Sequence, residues 1–232
     1  YSGKWQGMAE QNLPLNFILK KKSLQNLQFG SGGSLFWIES QAGVEKIMIR
    51  EKNAVLRSLD VEGSIKGGLL YGGGEFCAGN EKVVFCVNCN QLFVIDLKTG
   101  VTKAIIPAWG KVASPAISPD EKWVLYVCSD RESDFLAVVP IHGLDWARQM
   151  VKGADFYLSP TWHPQGKLMA WTEWDHPCMP WQGSRVKIGE VGGMQIHLVS
   201  STWVDGRIGK AAHQPLFSPN GKWLSYLIQN DE

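Results

Sequence analysis

Short apolar runs with a period of two recur along the chain, and no long stretch shows helical periodicity. The pattern is clearest near the C-terminus, where Trp223, Ser225 and Leu227 alternate with Leu224, Tyr226 and Ile228. That period predicts a β-strand. Both sets are largely apolar, so both faces of the strand are expected to be covered, as in stacked sheets. Trp223 is then expected in the core, and its truncation to Ala to cost about 3–5 kcal/mol.

This run closes a phrase that the chain repeats: Ser114-Pro115-Ala116-Ile117-Ser118-Pro119-Asp120-Glu121-Lys122-Trp123, then Ser159-Pro160-Thr161-Trp162-His163-Pro164-Gln165-Gly166-Lys167-Leu168, then Gln214-Pro215-Leu216-Phe217-Ser218-Pro219-Asn220-Gly221-Lys222-Trp223. The copies are 45 and 55 residues apart. Each joins a short apolar run, a turn and an alternating run. Pro presets φ for the turn, and Asn, Asp and Gly tolerate its left-handed position. Weaker copies start near Glu75 and Leu27. A unit of four strands and 40–50 residues is the blade of a β-propeller. The expected fold is all-β, a propeller of four-stranded blades at about residues 25–60, 74–107, 113–152 and 157–200, with part of a fifth at 213–232. Residues 13–20 read as a stray N-terminal strand ended by Lys20-Lys21-Lys22. Four and a half blades suggest an incomplete ring, whose open edges invite self-association.

A chain of 232 residues is long enough for one all-β domain. Its 23 Lys and Arg against 22 Asp and Glu give no reason to expect a nucleic-acid or acidic-membrane partner. No apolar run approaches the ~20 residues of a membrane helix, and residues 1–19 show no signal pattern. Five cysteines, an odd number, favour free thiols in a reducing compartment, and a cytoplasmic location is expected. Cys86 and Cys89 have the spacing of redox and zinc motifs, but no second pair lies nearby, and packing as small hydrophobes is the favoured reading.

Within the fourth unit an insertion reads Trp174-Asp175-His176-Pro177-Cys178-Met179-Pro180-Trp181-Gln182-Gly183-Ser184. Together with Tyr71-Gly72-Gly73-Gly74 upstream, it resembles the propeller domain of the prolyl oligopeptidase family of serine peptidases, in its acylaminoacyl-peptidase and dipeptidyl-peptidase-like branch. The family usually has Asn at the place of Cys178, Asp at that of Gln182 and often Glu at that of Leu70. The resemblance implies a propeller that caps a C-terminal α/β-hydrolase domain and gates the access of peptide substrates. The nucleophile of such a domain sits in a Gly-x-Ser-x-Gly turn. No Ser here has that setting; Ser34 follows Gly32 but precedes Phe36 at the second position. No catalytic residue and no cofactor are therefore assigned to these residues, and the hydrolase domain is expected elsewhere in a parent protein. A stand-alone binding propeller, like those of bacterial envelope translocation systems, is the alternative.

Trp174, Asp175, His176 and Trp181 are the candidate substrate or domain-interface residues. The competing reading has both Trp side chains packing over a blade, with Pro177 and Pro180 stiffening the loop. Asp175 and His176, adjacent in extended chain, point opposite ways and do not make a dyad. His176 and Cys178 supply two of the three or four ligands zinc needs, so no metal is assigned. His163 takes the turn position of Ser118 and Ser218. Tyr71 to Gly74 lacks the following helix and Gly-Lys-Ser/Thr of a phosphate loop; a sharp entry into the second unit, where only Gly fits, is preferred.

Overall fold

A computed structural model describes residues 22–30, 33–53, 55–130, 132–143 and 145–230; the strand expected at 13–20 lies outside them. The first sheet comprises β1 (Lys22–Phe29), β2 (Leu35–Gln41), β3 (Val44–Arg50) and β4 (Leu56–Leu59). The second comprises β5 (Phe76–Ala78), β6 (Lys82–Val87), β7 (Gln91–Asp96) and β8 (Thr102–Ala104). The third comprises β9 (Lys111–Ile117), β10 (Trp123–Ser129), β11 (Asp134–Pro140) and β12 (Arg148–Val151). The fourth comprises β13 (Phe156–Trp162), β14 (Leu168–Trp174), β15 (Arg185–Gly192) and β16 (His197–Asp205), with a helical turn, α1 (Pro180–Gly183), between β14 and β15. The fifth is the pair β17 (Lys210–Phe217) and β18 (Leu224–Asn230). Every sheet is antiparallel and meanders in chain order.

The first strands of successive sheets touch one another, β1 with β5, β5 with β9, β9 with β13 and β13 with β17. The sheets therefore radiate from a common axis, and β4, β8, β12 and β16 form the outer wall. Alternation along a strand sends its side chains into two different cores. In β6, Val83, Phe85 and Val87 face the first sheet, while Val84 and Cys86 face the third. In β10, Val124, Tyr126 and Cys128 face the second sheet, while Leu125 and Val127 face Trp162, Met169 and Trp171 of the fourth.

The repeated phrase has a local cause. Ser114, Ser159 and Gln214 have φ of 52°, 50° and 56°, and each precedes a Pro. At each place the register against the next strand shifts, between Leu125 and Val127, between Leu158 and Thr161, and between His213 and Leu216. Each first strand is bulged there, where a Pro without an N–H does least harm to the ladder. Asn26, φ 53°, marks the same bulge in β1 without a Pro.

The turns after the first strands repeat as well. Ser118 Oγ donates to Asp120 Oδ1 (2.6 Å) and accepts from the Trp123 N–H (3.0 Å); Ser218 does the same with Asn220 (2.8 Å) and Trp223 (3.0 Å). His163 replaces the Ser as a turn residue. Its Nδ1 accepts from the Gln165 N–H (3.1 Å), and its Nε2 lies 2.9 Å from the Gly221 carbonyl in the fifth sheet's turn. The ring also meets the edge of Phe217 at 5.0 Å. Glu121 makes the corresponding link backwards, accepting from the backbone N–H groups of Asn80 and Glu81 in the second sheet.

Three expectations need correction. Trp223 is 74% exposed and β18 shows one face to solvent, because none of the described residues stacks on its outer side. Its truncation therefore does not open a core cavity in this chain. Lys22 does not end a strand but begins β1. The fourth unit was expected to end at about residue 200, but its last strand runs His197–Asp205.

Candidate functional site

Each first strand begins at the same end of the molecule. That end also carries the connections between sheets and the loops between second and third strands. The connection between β4 and β5 does not run directly to β5. Its Lys66 N–H donates to the Cys86 carbonyl (3.2 Å), its Lys66 carbonyl accepts from Cys89 (3.0 Å), and its Gly68 N–H donates to the Val112 carbonyl (2.8 Å). It thus crosses the second sheet and reaches the third, carrying Tyr71 to the seam between the third and fourth. It then returns through Gly72 and Gly73, φ 98° and 140°. A Cβ on Gly73 would stand 2.9 Å from both Ala113 Cβ and Ser114 Oγ, so the glycine serves close backbone approach.

Tyr71 is locked in that seam. Its ring meets Trp174 edge-on at 4.8 Å and Phe156 at 5.5 Å, while Phe156 and Trp174 stack at 5.3 Å. Its hydroxyl bonds the Asp134 carboxylate and lies 3.2 Å from the Tyr157 carbonyl. Burial, then the bond to Asp134, pushes the phenol far above its usual range, so it stays protonated. Burial also lifts the Asp134 carboxyl above its ordinary value, with the Tyr71 bond opposing.

The insertion is mounted on this cluster. Trp174, 2% exposed, ends β14 and belongs to the core. Asp175 Oδ1 accepts from the Asp155 N–H (3.1 Å), and Asp155 Oδ2 accepts in return from the His176 N–H (2.9 Å). Arg185 spans two carboxylates, Nε to Glu173 at 2.9 Å and Nη1 to Asp175 at 2.8 Å. Glu173, 4% exposed, also accepts from Trp171 Nε1 at 2.7 Å. A buried carboxylate so enclosed is compensated and orders its neighbours. Asp175 is thereby committed to Arg185 and backbone, away from the His176 ring.

Beyond Asp175 the chain turns outward. The His176–Pro177 peptide is cis. Gln182 Oε1 accepts from the Met179 N–H (2.9 Å), which closes the start of α1. Cys178 packs against Gly183. His176, Met179 and Trp181 are exposed, the last two at 52% and 50%. Of the four candidate residues, two hold the loop and two are presented by it. Sequence reading missed Asp134, Asp155, Glu173 and Arg185, which sit on other elements and carry no motif.

Among the described residues no three His, Cys, Asp or Glu side chains converge as a metal site. The five cysteines are free thiols. Cys86 is fully buried and its thiol is pushed up by burial, which suits a core residue better than a nucleophile. No helix among the described residues is long and apolar enough to cross a membrane.

No protein-family model matches the chain, and no curated protein matches it in sequence. Solved structures do match in fold. A puromycin-hydrolyzing peptidase of Mycobacterium tuberculosis superposes with a TM-score of 0.75 at 22% identity, over 91% of this chain and 35% of that one. A puromycin hydrolase gives 0.77 at 20% identity, over 91% and 36%. The fold is a β-propeller. A putative TolB from Agrobacterium tumefaciens shares it more distantly, with a TM-score of 0.62 at 15% identity over 86% of this chain and 71% of that one. The propeller spans about a third of the length of the two peptidases.

Proposed function

We propose that the chain is the non-catalytic propeller of a cytoplasmic serine peptidase resembling the acylaminoacyl-peptidase branch of the prolyl oligopeptidase family. In this reading, the end that carries the insertion faces an α/β-hydrolase domain and gates peptide access to it. One observation carries the proposal. The two phrases behind the resemblance lie about a hundred residues apart in sequence, yet Tyr71 of one stands 4.8 Å from Trp174 of the other. The likeness in fold to two peptidases supports it.

The mechanism is steric, with a Ser nucleophile supplied by the other domain. A propeller over the active site admits short or unfolded peptides and excludes folded proteins. His176 and Trp181 are the residues assigned to substrate or to the domain interface, because they are exposed on a loop whose base is fixed by a partly buried ion pair. Trp174 and Asp175 hold that base.

The test is the double variant His176→Ala/Trp181→Ala in the native polypeptide, assayed on a series of short peptides. The reading predicts altered kcat/KM with an unchanged thermal midpoint. Unaltered kinetics across the series would remove these residues from the site, and a native polypeptide without peptidase activity would return the chain to the class of binding propellers.

A further inference from the structure

On the outer wall, between the second and third sheets, lies an apolar pocket of about 400 Å³. None of its lining residues belongs to the insertion, and it plays no part in the proposed gating. Tyr126 and Cys128 of β10 and Phe135 of β11 form its base, and Trp109 and Trp146 stand on its rim. Both rim indoles are exposed, at 56% and 82%. Tyr126 is only 3% exposed, yet its hydroxyl has no hydrogen-bond partner among the described residues. Tyr126 lines an otherwise apolar pocket, so its hydroxyl is a donor available to a guest there.

The chemistry of the lining narrows what could satisfy it. Burial holds the Tyr126 proton in place, and the Cys128 thiol is pushed up to about 12 by burial. Both are neutral donors at physiological pH. The one charged lining residue, Arg148, has its guanidinium 5.5 Å over the Trp123 ring. Trp123 packs toward the fourth sheet, on the opposite side of β10 from Tyr126. The Arg148 Nη2 is buried without a hydrogen-bond partner, but it lies with Trp123 on that opposite side. No other lining side chain carries a charge, so an anionic or cationic guest over Tyr126 would bear its desolvation unaided. The volume is that of a small-molecule site, and exposed indoles flanking an apolar base favour a flat ring.

We propose that this pocket binds a neutral aromatic small molecule that offers a hydrogen-bond acceptor to the Tyr126 hydroxyl. The test uses the native polypeptide and three probes, 2-naphthamide, naphthalene and 2-naphthoate, with affinities from ligand-observed NMR titration. The amide is expected to bind saturably and more tightly than the carboxylate. Tyr126→Phe is expected to weaken the amide about three- to tenfold, the worth of one hydrogen bond, and to leave naphthalene unchanged. Trp146→Ala alters only an exposed side chain and is expected to weaken amide and naphthalene alike. The proposal is overturned if the amide does not bind saturably, or if Tyr126→Phe binds it as wild type does. Should Tyr126→Phe fail to fold, unchanged amide binding by Trp146→Ala overturns it equally.

Discussion

Trp174 is 2% exposed and sandwiched with Phe156 and Tyr71, whereas Trp223 is 74% exposed just before the last strand. Trp174→Ala should therefore cost about 3–5 kcal/mol by urea denaturation of this chain, and Trp223→Ala no more than about 0.5 kcal/mol. Equal losses would contradict the burial described. Asp134 supplies a pH-dependent test. Burial raises its folded value above the unfolded one near ~3.9. Its favourable contribution is thus complete below that unfolded value and is lost as pH rises through the folded one. Asp134→Asn keeps an acceptor for Tyr71 and cannot ionise. Its stability relative to wild type should improve between about pH 4 and pH 7. A difference that is flat or falls over that range would show that Asp134 is not held above its ordinary value.

At the scale of elements, recurrence in the chain reveals the hairpins but not their irregularities. The Pro at 115, 160 and 215 marks a unit boundary in sequence, and its physical meaning, a left-handed residue and a bulge, needs the register to be seen. The path of the β4–β5 connection was hidden for a stronger reason. Its anchors are pairings such as Tyr71 with Asp134, 63 residues apart, which no local pattern encodes. The glycines at its return were legible as a tight entry, and the structure makes that claim testable. Gly73→Ala combines a left-handed φ with contact at 2.9 Å and should cost about 1–3 kcal/mol. Gly74→Ala, with nothing nearer than 3.9 Å, should stay within about 0.5 kcal/mol. Comparable losses in the two variants by thermal unfolding would mean that close approach is not what Gly73 provides.

For the whole molecule, alternation with both faces apolar was enough to indicate stacked sheets, and the 45- and 55-residue intervals were enough to indicate blades. At β18 the same alternation does not bring burial, because coverage depends on a neighbour and not on the strand's own residues. The candidate loop was legible as a phrase, while its mounting on Glu173, Arg185 and Asp155 was not. The central claim, a propeller serving a serine peptidase, is a claim about the polypeptide as the cell makes it. It is tested most directly by the intact mass of that polypeptide together with its labelling by a serine-reactive fluorophosphonate. A mass far above 25.8 kDa with one labelled serine is the predicted result. A native mass near 25.8 kDa with no labelling would contradict the account.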